Sequence, residues 1–498
     1  MNKQISRLAI AGLTLIVSLV VATTYWQTWA AGGLADRQDN TIKLVAEFKI
    51  RRGLIVTEHP RELLAANRRQ KVKGEDLFFR RYPERGLAAQ TVGYSTQVRS
   101  RTGLEQSLND YLIGSNQNLS TVLRRAKDKI RGATITGNDV VLTLRPGVQR
   151  LALDLLGRNC GSVVALDPRD GRVLVMASSP TYDPNLVETD FPTIQAIRAN
   201  CAPAAPLLNR PAQGLYPPGS TFKVVTATAA LDSGKLTPDT PFYDPGYCVE
   251  YGQRVSNAGN PDTGAETFFD TNFTQGLIHS INSVFCNTGK RIGAGLILDY
   301  AKRFGFYRDP PLETPADERV PSGLYSRQDR SLFDPKNPAT QVDPGRLAFG
   351  QERLLVTPLQ MAMVASAIAN KGLLMQPHVV DRIVAPNGDV VTRTKPKEYS
   401  RPMQPGTAAE LTTMMEGVVT EGTGTLAQMD VPVAGKTGTA ETGRQGIYAS
   451  WFIAFAPADN PTVAVAVALE NQTQAGGIVA APIAKQVMEA LLSIPSNS

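Results

Sequence analysis

A serine and a lysine stand three residues apart in the segment 216–223, which reads YPPGSTFK. On a helix, Ser220 and Lys223 would lie on one face, so that their side-chain ends can meet. A serine hydroxyl is a poor nucleophile until a neighbouring base takes its proton. A lysine can be that base only if burial or another cation lowers its pKa from about 10.4. The pair therefore predicts a serine nucleophile with a lysine as its general base.

Two further motifs follow this pair along the chain. One has the pattern Ser-x-Asn and the other has the pattern Lys-Thr-Gly-Thr. Their residues are Ser280 and Asn282 in the first, and Lys436, Thr437, Gly438 and Thr439 in the second. Ser-x-x-Lys alone arises by chance about once or twice in a chain of this length. The three motifs in this order, however, form the set that serine acyltransferases acting on penicillin use.

The sequence does not indicate histidine-based catalysis, because the chain holds only three histidines. His279 precedes Ser280, and we predict a structural or solvent-facing role for it. No group of His and Cys has the spacing of a zinc site, so we predict neither a metal nor a cofactor. In an exported chain four cysteines form up to two disulfides, and three pairings are open. These cysteines are Cys160, Cys201, Cys248 and Cys286.

The N-terminal segment has the pattern of a membrane anchor. Residues 8–35 carry no charge, and residues 8–25 are predominantly apolar, which is just long enough to span a bilayer core. Lys3 and Arg7 precede this run and favour a cytoplasmic N-terminus. Small residues at 30–33 leave a cleaved signal peptide as the alternative. We predict a cytoplasmic tail at 1–7, a signal-anchor at 8–29 and a single-pass protein of the cell membrane, with its bulk on the extracytoplasmic side.

The chain's net charge of +7 is unevenly spread. Residues 1–150 hold 24 Lys and Arg against 12 Asp and Glu, a balance of +12, which leaves −5 for the rest. A basic membrane-proximal region favours anionic lipid, an anionic wall polymer or a partner protein. A solvated basic face is the alternative. Nucleic acid is not an expected partner outside the cell.

Two domains follow from the change in pattern near Cys160. We predict a pedestal module at 36–155 with short mixed elements, and a second domain at 156–498. In the second, hairpins around 167–171 and 457–461 stand at the two ends with helices between them. This order implies an α+β domain whose ends meet in one sheet. The helices are predicted at 221–231, 357–370, 408–419 and 479–492, and a strand at 436–441.

With these residues in hand, the chain resembles a class B penicillin-binding protein, a peptidoglycan D,D-transpeptidase of the actinobacterial elongation or division type. The resemblance covers most of the chain. It implies a serine β-lactamase-like domain with an antiparallel sheet flanked by helices, behind a pedestal or dimerisation-like domain and a single transmembrane helix. The segments that carry it, besides the three motifs, are 52–55, 103–105, 165–168, 182–185, 357–360 and 435–441.

The resemblance also implies a role for each motif residue. Ser220 would attack the carbonyl between the two terminal D-alanines of a stem peptide, and Lys223 would accept its proton. Ser280 would relay the proton to the leaving amine. Asn282 would hydrogen-bond Lys223 and the substrate amide. β-Lactam antibiotics would acylate the same serine.

The third motif would hold the substrate carboxylate. Thr437 and Thr439 would bind it through their hydroxyls, with Lys436 as the counter-charge and as the second cation that keeps Lys223 neutral. Gly438 would allow the close approach of the substrate to the strand. The backbone N–H groups of Ser220 and Thr439 would form the oxyanion hole.

Three alternatives share some of these features. A D,D-carboxypeptidase differs only in using water as the acceptor. A class A β-lactamase is smaller and needs a Glu-x-x-Leu-Asn segment, which this sequence lacks. A scaffold for a membrane glycan polymerase of the SEDS type would bind it through basic pedestal residues, for which Arg80, Arg81 and Arg85 are the hypothesis. Cys286 lies one helical turn beyond Asn282, and Cys248 is a candidate partner for it.

Overall fold

The computed structural model describes residues 2–25, 47–58, 60–72, 74–97, 100–115, 134–257, 259–260 and 264–494. A helix spans Asn2–Thr24. In this described part of the chain, no helix is both long enough and apolar enough to cross a membrane. The predicted anchor at 8–29 extends beyond residue 25, so its last four residues lie outside the described ranges.

The pedestal is built around a six-stranded sheet. From one edge to the other, its strands are Val390–Arg393, Val380–Val384, Asp139–Leu142, Ile55–Thr57, Leu63–Val72 and Glu75–Arg81. The pair of central strands at 55–57 and 139–142 is parallel, and the other pairs are antiparallel. Two strands of this sheet come from 380–393, inside the predicted second domain. The boundary at 155/156 stays a prediction.

A buried ion-pair cluster lies beside this sheet. Arg52 Nη2 donates a hydrogen bond to the Glu105 carboxylate at 2.8 Å, and Arg80 Nε donates to it at 2.6 Å. Short helices at Ala89–Val92, Gly103–Ser107 and Asn109–Leu112 pack around it. The cluster therefore adds paired buried charges to the apolar core of the pedestal, which includes Ile55, Leu64 and Val140.

The second domain contains a five-stranded antiparallel sheet. Its strand order is Ala434–Glu441, Tyr448–Ala456, Val463–Gln472, Gly161–Leu166 and Val173–Ser179. Gly161 pairs with Leu469 and Leu166 with Ala464, so the first and last strands of the domain meet in one sheet. The predicted α+β class, with an antiparallel sheet between helices, is confirmed.

Helices cover both faces of this sheet, which explains the nearly continuous apolar strands. On one face, Val163, Phe452 and Val465 pack with the helices Pro146–Leu156 and Ala481–Leu492. On the other face, Val164, Ile453 and Ala466 pack in the larger core. Helices of that second face are Lys223–Asp232, Pro358–Ala369 and Pro405–Thr420.

The remaining elements lie in the connections. The longer helices are Phe273–Ile278, Asn282–Ile292 and Ala294–Arg303. The shorter ones are Leu186–Thr189, Phe191–Gln195, Arg210–Gln213, Pro338–Gln341, Pro344–Ala348 and Gly476–Val479, with 3₁₀ turns at Ala316–Glu318 and Thr425–Ala427. Two-stranded pairs join Pro241–Asp244 to Phe269–Asn272, Tyr247–Glu250 to Gln253–Ser256, Gly259–Asn260 to Gly264–Ala265, Gly323–Leu324 to Leu354–Leu355, and Leu374–Met375 to Glu398–Ser400. Disulfides join Cys160 to Cys201 and Cys248 to Cys286.

Candidate active site

Ser220 lies in a 3₁₀ turn, Gly219–Phe222, that leads directly into the helix Lys223–Asp232. Gly219 has a φ of +51°, and a Cβ there would lie 3.0 Å from the Ala440 side chain. The turn is thus packed against the strand Ala434–Glu441, hereafter the catalytic strand. Ser220 is partly exposed, and none of the described residues hydrogen-bonds to its hydroxyl. The hydroxyl is therefore open to a ligand.

Lys223 is fully buried and has only uncharged hydrogen-bond acceptors. Its Nζ donates to the Ser280 carbonyl oxygen at 2.6 Å, to Asn282 Oδ1 at 2.8 Å and to Ser280 Oγ at 3.3 Å. Burial, and secondly the nearby Lys436, hold the pKa of Lys223 well below its usual value. A neutral amine at this position can accept a proton.

Lys436 lies on the other side of Ser280. Its Nζ donates to Ser280 Oγ at 2.9 Å and to the Thr437 carbonyl oxygen at 3.1 Å. Burial lowers the pKa of Lys436 to about 7. Ser280 Oγ thus bridges two lysines, and its backbone has a φ of +59°, an uncommon conformation for a residue with a side chain. Such strain is concentrated at functional sites.

Besides its bond to Lys223, the Asn282 side chain makes a second hydrogen bond. Its Nδ2 donates to the Ser256 carbonyl oxygen at 2.8 Å. Beneath it, Asn257 accepts from the Ser283 backbone N–H at 3.0 Å and donates to both oxygens of the Asp244 carboxylate. This network fixes the loop that carries the Ser-x-Asn motif.

The catalytic strand closes the site. A Cβ at Gly438 would lie 2.8 Å from the Pro218 carbonyl oxygen, so glycine is required for packing against the nucleophile turn. Thr437 Oγ1 lies 2.6 Å from Thr423 Oγ1. Thr439 Oγ1 accepts from the Gly476 N–H at 3.2 Å. Both hydroxyls that were predicted to bind a carboxylate are therefore oriented by hydrogen bonds.

The structure brings Lys223, Ser280, Asn282 and Lys436 into one hydrogen-bond network. Ser220 precedes Lys223 by three residues, and its hydroxyl makes no hydrogen bond to this network. Sequence reasoning missed the residues that orient this network from outside the motifs. They are Asp244, Asn257, Thr423 and Gly476. Each meets the site through tertiary packing, and none belongs to a motif with a recognisable spacing.

One group of potential metal ligands occurs among the described residues: Cys248, Glu250 and Cys286. The two sulfur atoms are bonded to each other and are thus unavailable as thiolates, which are the form that binds metals. The group offers a single carboxylate. His279 stacks on the Phe268 ring with 5.0 Å between ring centroids, which agrees with its predicted structural role.

Comparison with known proteins agrees with this geometry. The family described as "Penicillin binding protein transpeptidase domain" matches residues 161–489, and "Penicillin binding protein A dimerisation domain" matches residues 52–140. The chain belongs to the penicillin-binding transpeptidase family. A transpeptidase function in cell-wall synthesis follows from this membership, and the predictions of a class B penicillin-binding protein and of a serine transpeptidase are confirmed. The match at 52–140 shows that the pedestal domain is present.

Relatives and solved structures match over most of the chain. Peptidoglycan D,D-transpeptidase PbpA of Mycolicibacterium smegmatis is 35% identical, with 99% of each chain covered. The crystal structure of penicillin-binding protein A from M. tuberculosis superposes with a TM-score of 0.78 at 32% identity, covering 90% of this chain and all of that chain. The penicillin G acyl-enzyme complex of the same protein gives a TM-score of 0.74 at 33% identity, covering 89% and 100%.

Proposed function

We propose that Ser220 of this chain forms the acyl-enzyme of peptidoglycan D,D-transpeptidation, in wall synthesis during cell elongation or division. The observation that carries this assignment is the buried Lys223 amine, which donates only to neutral oxygens. Its lowered pKa makes it a base three residues after Ser220, whose hydroxyl is partly exposed while that of Thr221 in the same turn is buried. The relatives' names, which are those of D,D-transpeptidases, support the same substrate class.

In the first half-reaction, Lys223 accepts the Ser220 proton while Oγ attacks the carbonyl of the penultimate D-alanine. The resulting oxyanion accepts hydrogen bonds from the backbone N–H groups of Ser220 and Thr439. Lys223 then returns the proton through Ser280 to the nitrogen of the terminal D-alanine, and the peptide bond breaks. The products are free D-alanine and an ester between Ser220 and the donor stem.

In the second half-reaction, the side-chain amine of a neighbouring stem peptide attacks this ester. Its proton passes to Lys223, which gives a proton to Ser220 Oγ as the ester bond breaks, and the new amide is the cross-link. Until the terminal D-alanine leaves, Thr437 and Thr439 hold its carboxylate, with Lys436 as the counter-charge. Asn282 hydrogen-bonds the amide of the donor peptide.

The test is labelling of the purified full-length protein with a fluorescent penicillin, read by intact mass over time. We expect one stable adduct in the wild type and none in Ser220→Ala. An adduct that forms and clears within seconds would indicate a β-lactamase instead. If the folded wild-type protein forms no adduct, the result would support the scaffold alternative instead.

A D,D-carboxypeptidase is separated from a transpeptidase by the acceptor. We expect the wild type, given a donor stem peptide and an amine-bearing acceptor stem, to yield the cross-linked dimer. Hydrolysed donor as the sole product would establish the carboxypeptidase. Mass spectrometry of both products measures the ratio directly.

We also propose that the protein is anchored in the cell membrane by its N-terminal segment. The support is the uncharged run at 8–35 and the exposed apolar side chains of Ile10, Leu13, Leu15 and Ile16. Carbonate extraction of envelopes should leave the full chain in the membrane and release a chain that begins at residue 36. The intact mass of the mature protein would reveal cleavage if the segment were a signal peptide.

A partner role for the basic pedestal, with a SEDS-type glycan polymerase as the candidate, rests on the exposed cations. The hypothesis needs one correction: Arg80 is not available, because its side chain is 2% exposed and pairs with Glu105. Arg81 and Arg85 are exposed. Reversing the charge of these two should weaken co-purification with the polymerase. Unchanged co-purification would remove the basic-patch hypothesis.

A further inference from the structure

A surface cavity of about 270 Å³ is lined mainly by basic side chains. Four of its seven lining residues are cations and one is an anion. The cations are Lys302, Arg303, Arg308 and Arg401. Arg303 also lies 3.8 Å from the carboxylate of Asp232, the last residue of the helix Lys223–Asp232. The cavity therefore lies at the end of this helix that is remote from Ser220, and it is separate from the active site.

Two of the four cations have anionic partners and a structural role. Lys302 pairs with Asp334 at 2.9 Å, and Arg303 pairs with Asp232. Both lie in the last turn of the helix Ala294–Arg303, where the helix dipole favours positive charge. These two side chains raise the positive potential of the cavity, but their own charges are already compensated.

The other two cations, Arg308 and Arg401, are exposed, and neither pairs with an anion among the described residues. Arg401 Nη1 donates to the Lys371 carbonyl oxygen at 3.4 Å, which is a neutral acceptor. A guanidinium presents a planar fork of N–H donors that matches the oxygens of a phosphate group. Two such groups at one cavity therefore favour a phosphate.

Asp299, the one anion of the lining, restricts the ligand further. It is exposed, and within the described ranges its carboxylate makes neither an ion pair nor a hydrogen bond. A carboxylate only accepts hydrogen bonds, so it suits the hydroxyl groups of a ligand and repels further negative charge. The cavity is also smaller than the roughly 300–1,000 Å³ of sites for drug-sized ligands. The lining thus fits one small unit that carries both a phosphate and hydroxyl groups.

We propose that this cavity binds a polyol phosphate, such as one repeating unit of a phosphodiester-linked wall polymer. Arg308 and Arg401 pair with the phosphate, and Asp299 accepts hydrogen bonds from the hydroxyl groups. Because the cavity is separate from the active site, the protein can hold such a polymer while Ser220 reacts. This binding site is additional to the proposed transpeptidation and does not depend on it.

The test is isothermal titration calorimetry of a glycerol phosphate oligomer with the full-length protein in nanodiscs of neutral lipid. We expect the double variant Arg308→Gln/Arg401→Gln to bind about tenfold more weakly, because each exposed charge contact contributes up to about fivefold. Asp299→Ala should lower the preference of the protein for glycerol phosphate over inorganic phosphate, since it removes the acceptor for the hydroxyl groups. Added salt should weaken binding in the wild type, because the charges are exposed.

The matched control is Arg198→Gln/Arg327→Gln, which removes two exposed arginines outside the cavity and should keep the wild-type affinity. Fluorescent penicillin counts the folded fraction of every variant, so a folding defect is separated from lost binding. The proposal is overturned if the wild type does not bind the oligomer, or if the two double variants bind it equally. Normal oligomer binding without penicillin labelling would contradict the proposed function alone.

The same chemical group occurs in the headgroup of phosphatidylglycerol, and a second titration distinguishes this source from a wall polymer. Phosphatidylglycerol is added to the nanodisc, with phosphatidylserine as the control of equal charge. Weaker oligomer binding with phosphatidylglycerol alone would assign the cavity to the lipid headgroup. Equal binding in the two kinds of nanodisc would support the wall polymer as the ligand.

Discussion

Two regions of this molecule bury a pair of cations, and they do so in opposite ways. In the pedestal, Arg52 and Arg80 share the carboxylate of Glu105, at 2.8 and 2.6 Å. In the active site, Lys223 and Lys436 are both fully buried and donate only to hydroxyl, amide and carbonyl oxygens. The first pair has an anion and the second has none.

The pKa values show what this difference does. Burial lowers the pKa of Arg52 to about 10, which still leaves its guanidinium charged at neutral pH. Burial raises the pKa of Glu105, but its two arginines outweigh this and leave it below the usual value. Lys223 has no anion beside it, and burial, together with the nearby Lys436, lowers its pKa well below the usual value. A buried basic side chain that is paired with a carboxylate stays charged and is a structural element. A buried lysine that has no carboxylate partner loses its charge and can act as a base.

The largest effect should come from removing that base. Lys223→Met keeps an aliphatic chain of similar length but cannot accept the Ser220 proton. We expect the rate of acylation by penicillin to fall by about 10³-fold, within the range for loss of a general base. Stopped-flow or time-resolved mass measurements give the rate, and circular dichroism checks the fold. Acylation within tenfold of wild type would show that another group takes the proton.

The counterpart in the pedestal is Glu105→Gln. It leaves two buried guanidinium groups without an anion, which costs about 3–5 kcal/mol. We expect faster hydrogen exchange in the strands at 55–57 and 63–72, because local stability sets the exchange rate. The matched control is Glu75→Gln, which breaks an exposed pair with Lys49 and should cost less than about 1 kcal/mol. If both variants exchange alike, the cluster is not a structural element.

The two regions also differed in how far the sequence predicted them. The catalytic hairpins and the nucleophile helix were predictable because apolar runs and turn signals mark them, and the strand at 436–441 was predicted as well. In the pedestal sheet, strands at 51–56 and 140–144 can be read from their apolar residues, but those at 380–384 and 390–393 were not predicted as part of it, since they come from far along the chain. Burial of Arg80 depends on Glu105, 25 residues away, and no local pattern reveals such a pairing.

Within the site, the motifs predicted the reacting residues but not those that orient them. Thr423 and Gly476 reach the catalytic strand through single tertiary contacts, which leave no periodic trace in the sequence. The cysteine pairing likewise needed the structure, because three pairings fit the sequence. The hypothesis that joined Cys248 to Cys286 agrees with the observed disulfide.

That disulfide gives the next effect in size. It joins the hairpin at 247–256, whose Ser256 carbonyl holds Asn282, to the helix Asn282–Ile292. Replacing Cys248 and Cys286 by serine should cost about 2–4 kcal/mol and slow acylation by loosening Asn282. The serine double variant of Cys160 and Cys201 is the control, with a similar loss of stability and a smaller effect on acylation. Equal acylation rates in the two would show that the hairpin does not position Asn282.

The last prediction concerns pH and tests Lys436, the second buried lysine of the active site. Its pKa of about 7 in the folded protein lies below the ordinary value of 10.5, so between these values the unfolded chain binds more protons. Burial of charged Lys436 therefore destabilises the fold fully below about pH 7, and this cost disappears as pH rises towards 10.5. The difference in stability between wild type and Lys436→Met should change accordingly.

Activity should change in the opposite direction, because the charged form of Lys436 binds the carboxylate of the ligand. The kcat/KM for a donor peptide reports the free enzyme, so it should fall by about tenfold per pH unit well above pH 7. Below the pKa of Lys223 it should fall again, as the base becomes protonated. A value that rises steadily from pH 7 to pH 9 would mean that Lys436 is neutral when the substrate binds. Both buried lysines would then act in their neutral form, in contrast to the charged arginines of the pedestal.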